Sequence, residues 1–157
     1  GYTLRADVQS RADTMNTVLN WPNRVLVISQ GDDATRWYYY RYELTAQVVN
    51  GFGGFYGRLG ETQDRWDSDF MNLVESENWT LYDYKAVCVP NTLVAYMAEK
   101  DCDYILIDRA DDYLQREFSP LFEGGLTNDM PATLYHFEGA AADVPFTLAA
   151  VAESGVA

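Results

Sequence analysis

Two short segments decide the fold: RVLVISQGDD at residues 24–33 and DYILIDR at residues 103–109. Each is a continuous apolar run, rich in β-branched side chains, that ends in polar residues. A strand that is apolar on both faces must be covered on both faces, as at the centre of a parallel sheet that is packed between helices. The two segments therefore predict neighbouring, parallel, buried strands whose polar ends line a crevice.

The rest of the chain alternates helical and extended patterns. Helices are predicted at residues 4–19, 34–44, 91–100 and 111–122. Further strands are predicted at residues 46–50, 132–138 and 146–153. The last two have no helix between them and should pair as an antiparallel edge hairpin. The expected fold is one α/β domain over residues 1–157, with three α/β/α layers, a mostly parallel central sheet and that C-terminal edge hairpin.

Two regions need separate comment. In the first helix, the apolar stripe contains Val8, Ala12 and Met15, and the polar residues, Arg11 among them, are assigned to the other faces. Residues 51–78 contain several glycines and lack a periodic pattern, so a short helix over 67–74 or a docking excursion is expected there.

Composition limits the partners. The 157 residues include 24 acidic and 11 basic side chains, a formal charge of −13. Nucleic-acid affinity depends on Lys and Arg neutralising phosphates, so no nucleic-acid partner is expected.

Cys88 and Cys102 flank a predicted helix about 15 Å long, beyond the reach of a disulfide, and should be free thiols. Because the first residue is Gly rather than Met, we expect a piece excised from a larger protein.

The crevice at the strand ends is the expected ligand site. Carboxylates, amides and one guanidinium there could hydrogen-bond a polyol. Helix capping explains most of these residues equally well, but not Asp108 or Arg109. Trp37 begins an aromatic run whose spacing with Tyr40 and Leu44 favours core packing over the alternative, stacking on a sugar ring. The candidate ligand-binding residues are Gln30, Asp32, Asp33, Trp37, Asn50, Asp108, Arg109 and Asp112.

Catalytic motifs are not supported. Asp67-Ser-Asp69 and Asp101-Cys-Asp103 match a short metal-binding string, but neither follows a strand, where its oxygens could reach an ion. The glycines of residues 51–60 fail the dinucleotide pattern, and the single histidine, His136, has no matched partner for a triad. We therefore predict no catalytic residue, no metal site and no cofactor.

Three segments carry a resemblance to a known class of protein domains: RVLVISQGDD (residues 24–33), RWYYYRYEL (36–44) and CDYILIDR (102–109). They are similar to the soluble extracytoplasmic C-terminal domains of bacterial multi-spanning membrane proteins of the glycosyltransferase type. The resemblance covers residues 24–138 and rests on strand and helix patterns. It implies a domain on the outer face of the membrane, beside a membrane portion that performs the transfer from a lipid-linked sugar.

The leading hypothesis is a non-catalytic accessory domain of a membrane-embedded glycosyltransferase. Its partners would be the membrane portion of the parent chain and a saccharide acceptor that it helps to bind or position. Two alternatives remain open: a small standalone metal-dependent enzyme using the Asp-rich crevice or Asp67 and Asp69, and a purely structural interaction module.

Overall fold

The computed structural model describes residues 2–29, 34–49, 93–94, 97–98, 100–110, 112–139 and 147–155. Residues 93–94 and 97–98 are helical, within the helix predicted at 91–100. Among the described residues, no helix is both long enough and apolar enough to pass through a bilayer. The named elements are α1 (Tyr2–Met15), β1 (Arg24–Ser29), α2 (Ala34–Glu43), β2 (Gln47–Val49), β3 (Tyr104–Arg109), α3 (Asp112–Phe118), a 3₁₀ turn (Ser119–Leu121), β4 (Thr133–His136) and β5 (Ala150–Glu153).

The five strands form one mixed sheet in the order β2-β1-β3-β4-β5. β1 pairs in parallel with β2 and with β3, so the prediction of two parallel, adjacent apolar strands is confirmed. β4 and β5 pair antiparallel with β5 at the edge, which confirms the C-terminal edge hairpin.

The prediction of a mostly parallel sheet is not confirmed, because β4 also pairs antiparallel with β3. The reason lies in the connection after the 3₁₀ turn. Gly124 and Gly125 both have positive φ, 80° and 73°, a backbone conformation that glycine adopts without strain. The segment after these glycines brings the chain to Thr133, opposite Ile107 near the end of β3, so β4 starts where β3 finishes and runs back along it.

Apolar side chains cover both faces of β1 and β3. Successive strand residues point to opposite faces, and the buried residues divide accordingly. Val25 and Val27 belong to a cluster with residues of α1 and α2. Leu26 and Ile28 belong to a cluster with residues of α3 and with Leu93, Val94 and Met97. Each such fully buried side chain contributes about 1.5–3 kcal/mol by leaving water.

The helical residues Met97 and Ala98 take part in a Schellman motif. The amide of Cys102 donates to the carbonyl of Met97, and the amide of Asp101 donates to the carbonyl of Ala98. Asp101 has a φ of 54°, the left-handed conformation that usually carries glycine at this position. The motif turns the chain directly into β3.

Candidate functional site: the polar end of β3

Four charged side chains meet where β3 ends. The guanidinium of Arg36 donates through Nε to Asp108 Oδ2 at 2.6 Å and through Nη1 to Asp7 Oδ2 at 2.7 Å. Arg11 Nε donates to Asp7 Oδ1 at 3.1 Å, and Arg11 Nη1 lies 3.5 Å from Asp108 Oδ1. Asp7, Arg11, Arg36 and Asp108 are called the buried charge cluster below.

The cluster is removed from solvent but electrically balanced. The side chain of Asp108 is wholly buried, and those of Arg11 and Arg36 are nearly so. Only Asp7 reaches water, with 30 % of its side chain exposed. Two carboxylates face two guanidiniums, so each charge that has lost water has an opposite charge beside it, the condition that a buried ion pair requires.

Three elements supply the cluster. Asp7 and Arg11 are four residues apart on α1 and therefore lie on one side of that helix. Arg36 lies one turn before Tyr40 on the buried side of α2. Asp108 is the extra residue where the β1–β3 register shifts, since Ile28 pairs with Ile107 but Ser29 pairs with Arg109. β-Bulges of this kind are common near functional sites and re-aim side chains.

The pKa values of Asp7, Arg36 and the neighbouring Tyr40 are shifted at this site. Burial raises the pKa of the Asp7 carboxyl, but hydrogen bonds from Arg36 and Arg11 outweigh it, so the pKa lies below its usual value. Burial lowers the pKa of Arg36, but the hydrogen bond and charge of Asp108 and the hydrogen bond to Asp7 more than compensate, so the pKa lies above its usual value and the guanidinium stays charged. Burial, assisted by the charge of Asp108, raises the pKa of the Tyr40 phenol well above its usual value.

The candidate ligand-binding residues divide into three groups. Asp108, predicted as a ligand contact, is enclosed in the buried charge cluster. Both of its carboxylate oxygens face arginines. Arg109, the next residue, is exposed at the end of β3, and Asp112 is exposed in the first turn of α3. Outside the described residues lie Gln30, Asp32, Asp33, Asn50 and the side chain of Trp37.

The aromatic run on α2 has a buried and an exposed side. Tyr40 and Leu44 are buried in the core, as their spacing predicted. Tyr40 is therefore not open to a sugar ring. Tyr38 and Tyr42 lie on the opposite side of the helix and are exposed.

The string Asp101-Cys-Asp103 has a structural role at the start of β3. Asp103 accepts a hydrogen bond from the amide of Arg24 at 2.8 Å through Oδ2, which links the starts of β1 and β3. In the described part of the chain, no group of three His, Cys, Asp or Glu side chains is placed to hold a metal ion. Asp67 and Asp69 lie outside that part.

His136 and Cys102 occupy structural positions in the fold. His136 lies in β4, as predicted, with its ring 5.3 Å from that of Tyr104 across the strand pair. Its Nδ1 is 3.6 Å from a carboxylate oxygen of the exposed Glu138. Cys102 is a free, buried thiol, as predicted, and burial raises its pKa to about 12. Cys88 lies outside the described residues.

Sequence reasoning missed three of the four cluster residues. Arg11 was assigned to the polar side of α1, yet it lies three residues after Val8 and four before Met15, which places it within the buried stripe. Arg36 likewise lies four residues before a buried side chain, that of Tyr40. The detectable signal was an arginine at a core position on each helix, which requires a buried carboxylate as partner.

Comparison with known proteins adds no relative: no family model, curated protein or solved structure matches the chain.

Proposed function

We propose that the chain is a non-catalytic accessory domain of a membrane-embedded glycosyltransferase, on the extracytoplasmic face of a bacterial membrane. It would pack against the membrane portion of the parent protein and help bind a saccharide acceptor. We further propose a three-layer arrangement, supported by the apolar clusters on both faces of β1 and β3.

The observation that carries the non-catalytic assignment is the enclosure of Asp108. In open α/β sheets, reactive groups are found at the carboxyl ends of the strands. Here the carboxylate at that position is wholly buried and faces Arg36 and Arg11, and the same arginines hold Asp7. Such an arrangement fixes α1 and α2 onto the sheet and supports a scaffold role.

The exposed residues near the same strand end support a binding role. Arg109 is an exposed guanidinium directly after the enclosed Asp108. Guanidinium groups carry five N–H donors in a planar fork, well suited to the hydroxyl and acidic groups of saccharides. Arg109 and Asp112 are therefore the described candidates for saccharide contact.

Calorimetric titration with a panel of neutral and acidic oligosaccharides tests the binding role. We expect weak binding by the wild-type chain and a further loss in Arg109→Ala. Arg116→Ala is the matched control, an exposed arginine on α3. Absence of binding to every saccharide, or equal binding by the Arg109 variant, would remove Arg109 from the proposal.

Two further measurements test the absence of catalytic activity and the extracytoplasmic location. Incubation with nucleotide sugars and lipid-linked sugars should give no transfer or hydrolysis, and turnover by the isolated chain would show that it is an enzyme. Alkaline phosphatase fused after Ala157, in the protein as its gene encodes it, should be active in intact cells if this face is extracytoplasmic. An inactive but expressed fusion would contradict the location.

A structural interaction module is the second candidate, favoured by the position of β5 at the edge of the sheet that the described residues form. β5 is the edge strand, and Ala150, Val151 and Glu153 are exposed on it. An open edge can accept a strand from a partner through main-chain hydrogen bonds. Sedimentation velocity tests this: self-association that Val151→Lys abolishes would favour the module, and a monomer at all concentrations would count against pairing between copies.

A further inference from the structure

The outward side of α2 presents two tyrosines to solvent. Tyr38 is 46 % exposed and Tyr42 is 66 % exposed, while Tyr40 between them is wholly buried. Residues four apart on a helix are neighbours one turn from each other. The pair therefore forms a small aromatic surface directly opposite the side that fills the core.

The two rings are held in place without a ligand. Their hydroxyl oxygens are 2.9 Å apart, and their ring centroids are 5.2 Å apart at an interplanar angle of 67°. This is the edge-to-face geometry that aromatic pairs prefer. Tyrosine has only two side-chain torsions, and a mutual hydrogen bond restricts them further, so a ligand would meet a surface that is already ordered.

The size of the pair favours a small occupant. If each ring side chain offers about 200 Å² in total, the exposed fractions leave roughly 220 Å² available. A specific protein interface needs about 800 Å² on each partner. One or two sugar rings match the smaller area.

Charge disfavours an anionic ligand. The chain carries a formal charge of −13, which repels anions at long range. The face of an aromatic ring is electron-rich and attracts weakly positive C–H groups, such as those on the face of a sugar ring. The paired phenol groups can exchange hydrogen bonds with sugar hydroxyls at the rim.

We propose that Tyr38 and Tyr42 form a contact surface for a neutral saccharide, with one sugar ring stacked on a tyrosine face and its hydroxyls bonded to the phenol pair. This inference rests on the proposed function, since it names the surface that the saccharide meets. It also differs from the crevice at the strand ends, because the pair lies on the outer side of α2.

The test uses the full chain and neutral gluco-, manno- and galacto-oligosaccharides of about four to six units, long enough to supply roughly two stacked rings and the units that flank them. Binding is followed by saturation-transfer NMR and calorimetry for wild type, Tyr38→Ala, Tyr42→Ala and Trp21→Ala. Trp21 is the matched control, since it is 68 % exposed and lies between α1 and β1. Circular dichroism confirms that each variant is folded.

We expect each tyrosine variant to weaken binding about tenfold and Trp21→Ala to leave it unchanged. Wild-type-like binding by both tyrosine variants, with loss in Arg109→Ala, overturns this inference and leaves the proposed function standing. No binding by the wild-type chain removes the saccharide role from both. Concentration-dependent self-association that the tyrosine variants abolish also overturns the inference, because the surface is then a protein interface.

Discussion

Replacing Asp108 with asparagine should lower the free energy of unfolding by about 3 kcal/mol. The substitution keeps the shape of the side chain and removes its charge, so the buried charge cluster changes from a formal charge of zero to +1. Arg11 and Arg36 cannot relieve this, because a guanidinium keeps its proton in proteins. Breaking a buried pair costs about 3–5 kcal/mol. We take the lower end because Asp7, 30 % exposed, still faces both arginines.

Urea unfolding followed by circular dichroism measures this loss. Thermal unfolding should show a decrease in Tm of about 6–12 °C, since each kcal/mol corresponds to about 2–4 °C in a chain of this size. The control is Asp129→Asn, an exposed carboxylate in a turn, which should change stability by less than about 0.5 kcal/mol.

A double variant separates lost attraction from uncompensated charge. In Asp108→Leu with Arg36→Met, apolar groups replace both partners, and we expect a smaller loss than the sum of the two single losses. A loss below about 1 kcal/mol for Asp108→Asn would refute the reasoning, because it would mean that the arginines find water or other partners at little cost.

Three further predictions concern single groups. The pKa of Asp7 is lower in the folded than in the unfolded chain, where it is 3.8, so ionised Asp7 stabilises the fold above pH 3.8. This stability is lost as the pH falls through the pKa of the folded state. The free energy of unfolding should therefore fall more steeply with decreasing pH in wild type than in Asp7→Asn. Equal slopes would contradict this. In a Cys88→Ser variant, Cys102 should react with a disulfide reagent at pH 8 about thirtyfold more slowly than a thiol of ordinary pKa, because burial raises its pKa to about 12 and the smaller thiolate fraction outweighs the higher nucleophilicity of that thiolate; fast reaction without unfolding would show an accessible thiol. Asp101→Gly should raise, and Asp101→Ala lower, the free energy of unfolding by about 0.5–1 kcal/mol, since φ is 54° and glycine has no Cβ to clash there. Urea unfolding of the two variants checks the order, and a more stable alanine variant would contradict it.

The sequence predicted the elements well because their signals are local. The apolar runs of β1 and β3 are typical of buried strands. The observed bounds, Arg24–Ser29 and Tyr104–Arg109, agree within one residue with the strands that these runs predict at residues 24–29 and 104–108. The direction of β4 relative to β3 was not predictable in this way. It depends on which end of β3 the connecting segment reaches before β4 begins, and a strand pattern carries no information on the direction of its neighbours.

The candidate site was harder to predict because its members come from distant segments. Asp108 was recognised as a polar residue that helix capping does not explain, but its partners are more than seventy residues away for Arg36 and farther for Arg11. A charged residue on an apolar stripe can lie in the core or at its rim, and only tertiary packing decides between them. The enclosure of Asp108 thus follows from how α1 and α2 meet the sheet.

The charge balance of the cluster also bears on ligand recognition. Because its four members sum to zero, the entire formal charge of −13 is carried by groups outside it. An acidic sugar drawn to Arg109 would meet that negative field, and its affinity would depend strongly on salt. A neutral sugar stacked on Tyr38 and Tyr42 has no net charge to screen. Raising the salt from about 0.05 M to about 0.5 M should therefore leave the dissociation constant of a neutral oligosaccharide unchanged within a factor of about two. A strong salt dependence for this neutral ligand would contradict the stacking contact, because a ligand without net charge offers nothing for salt to screen.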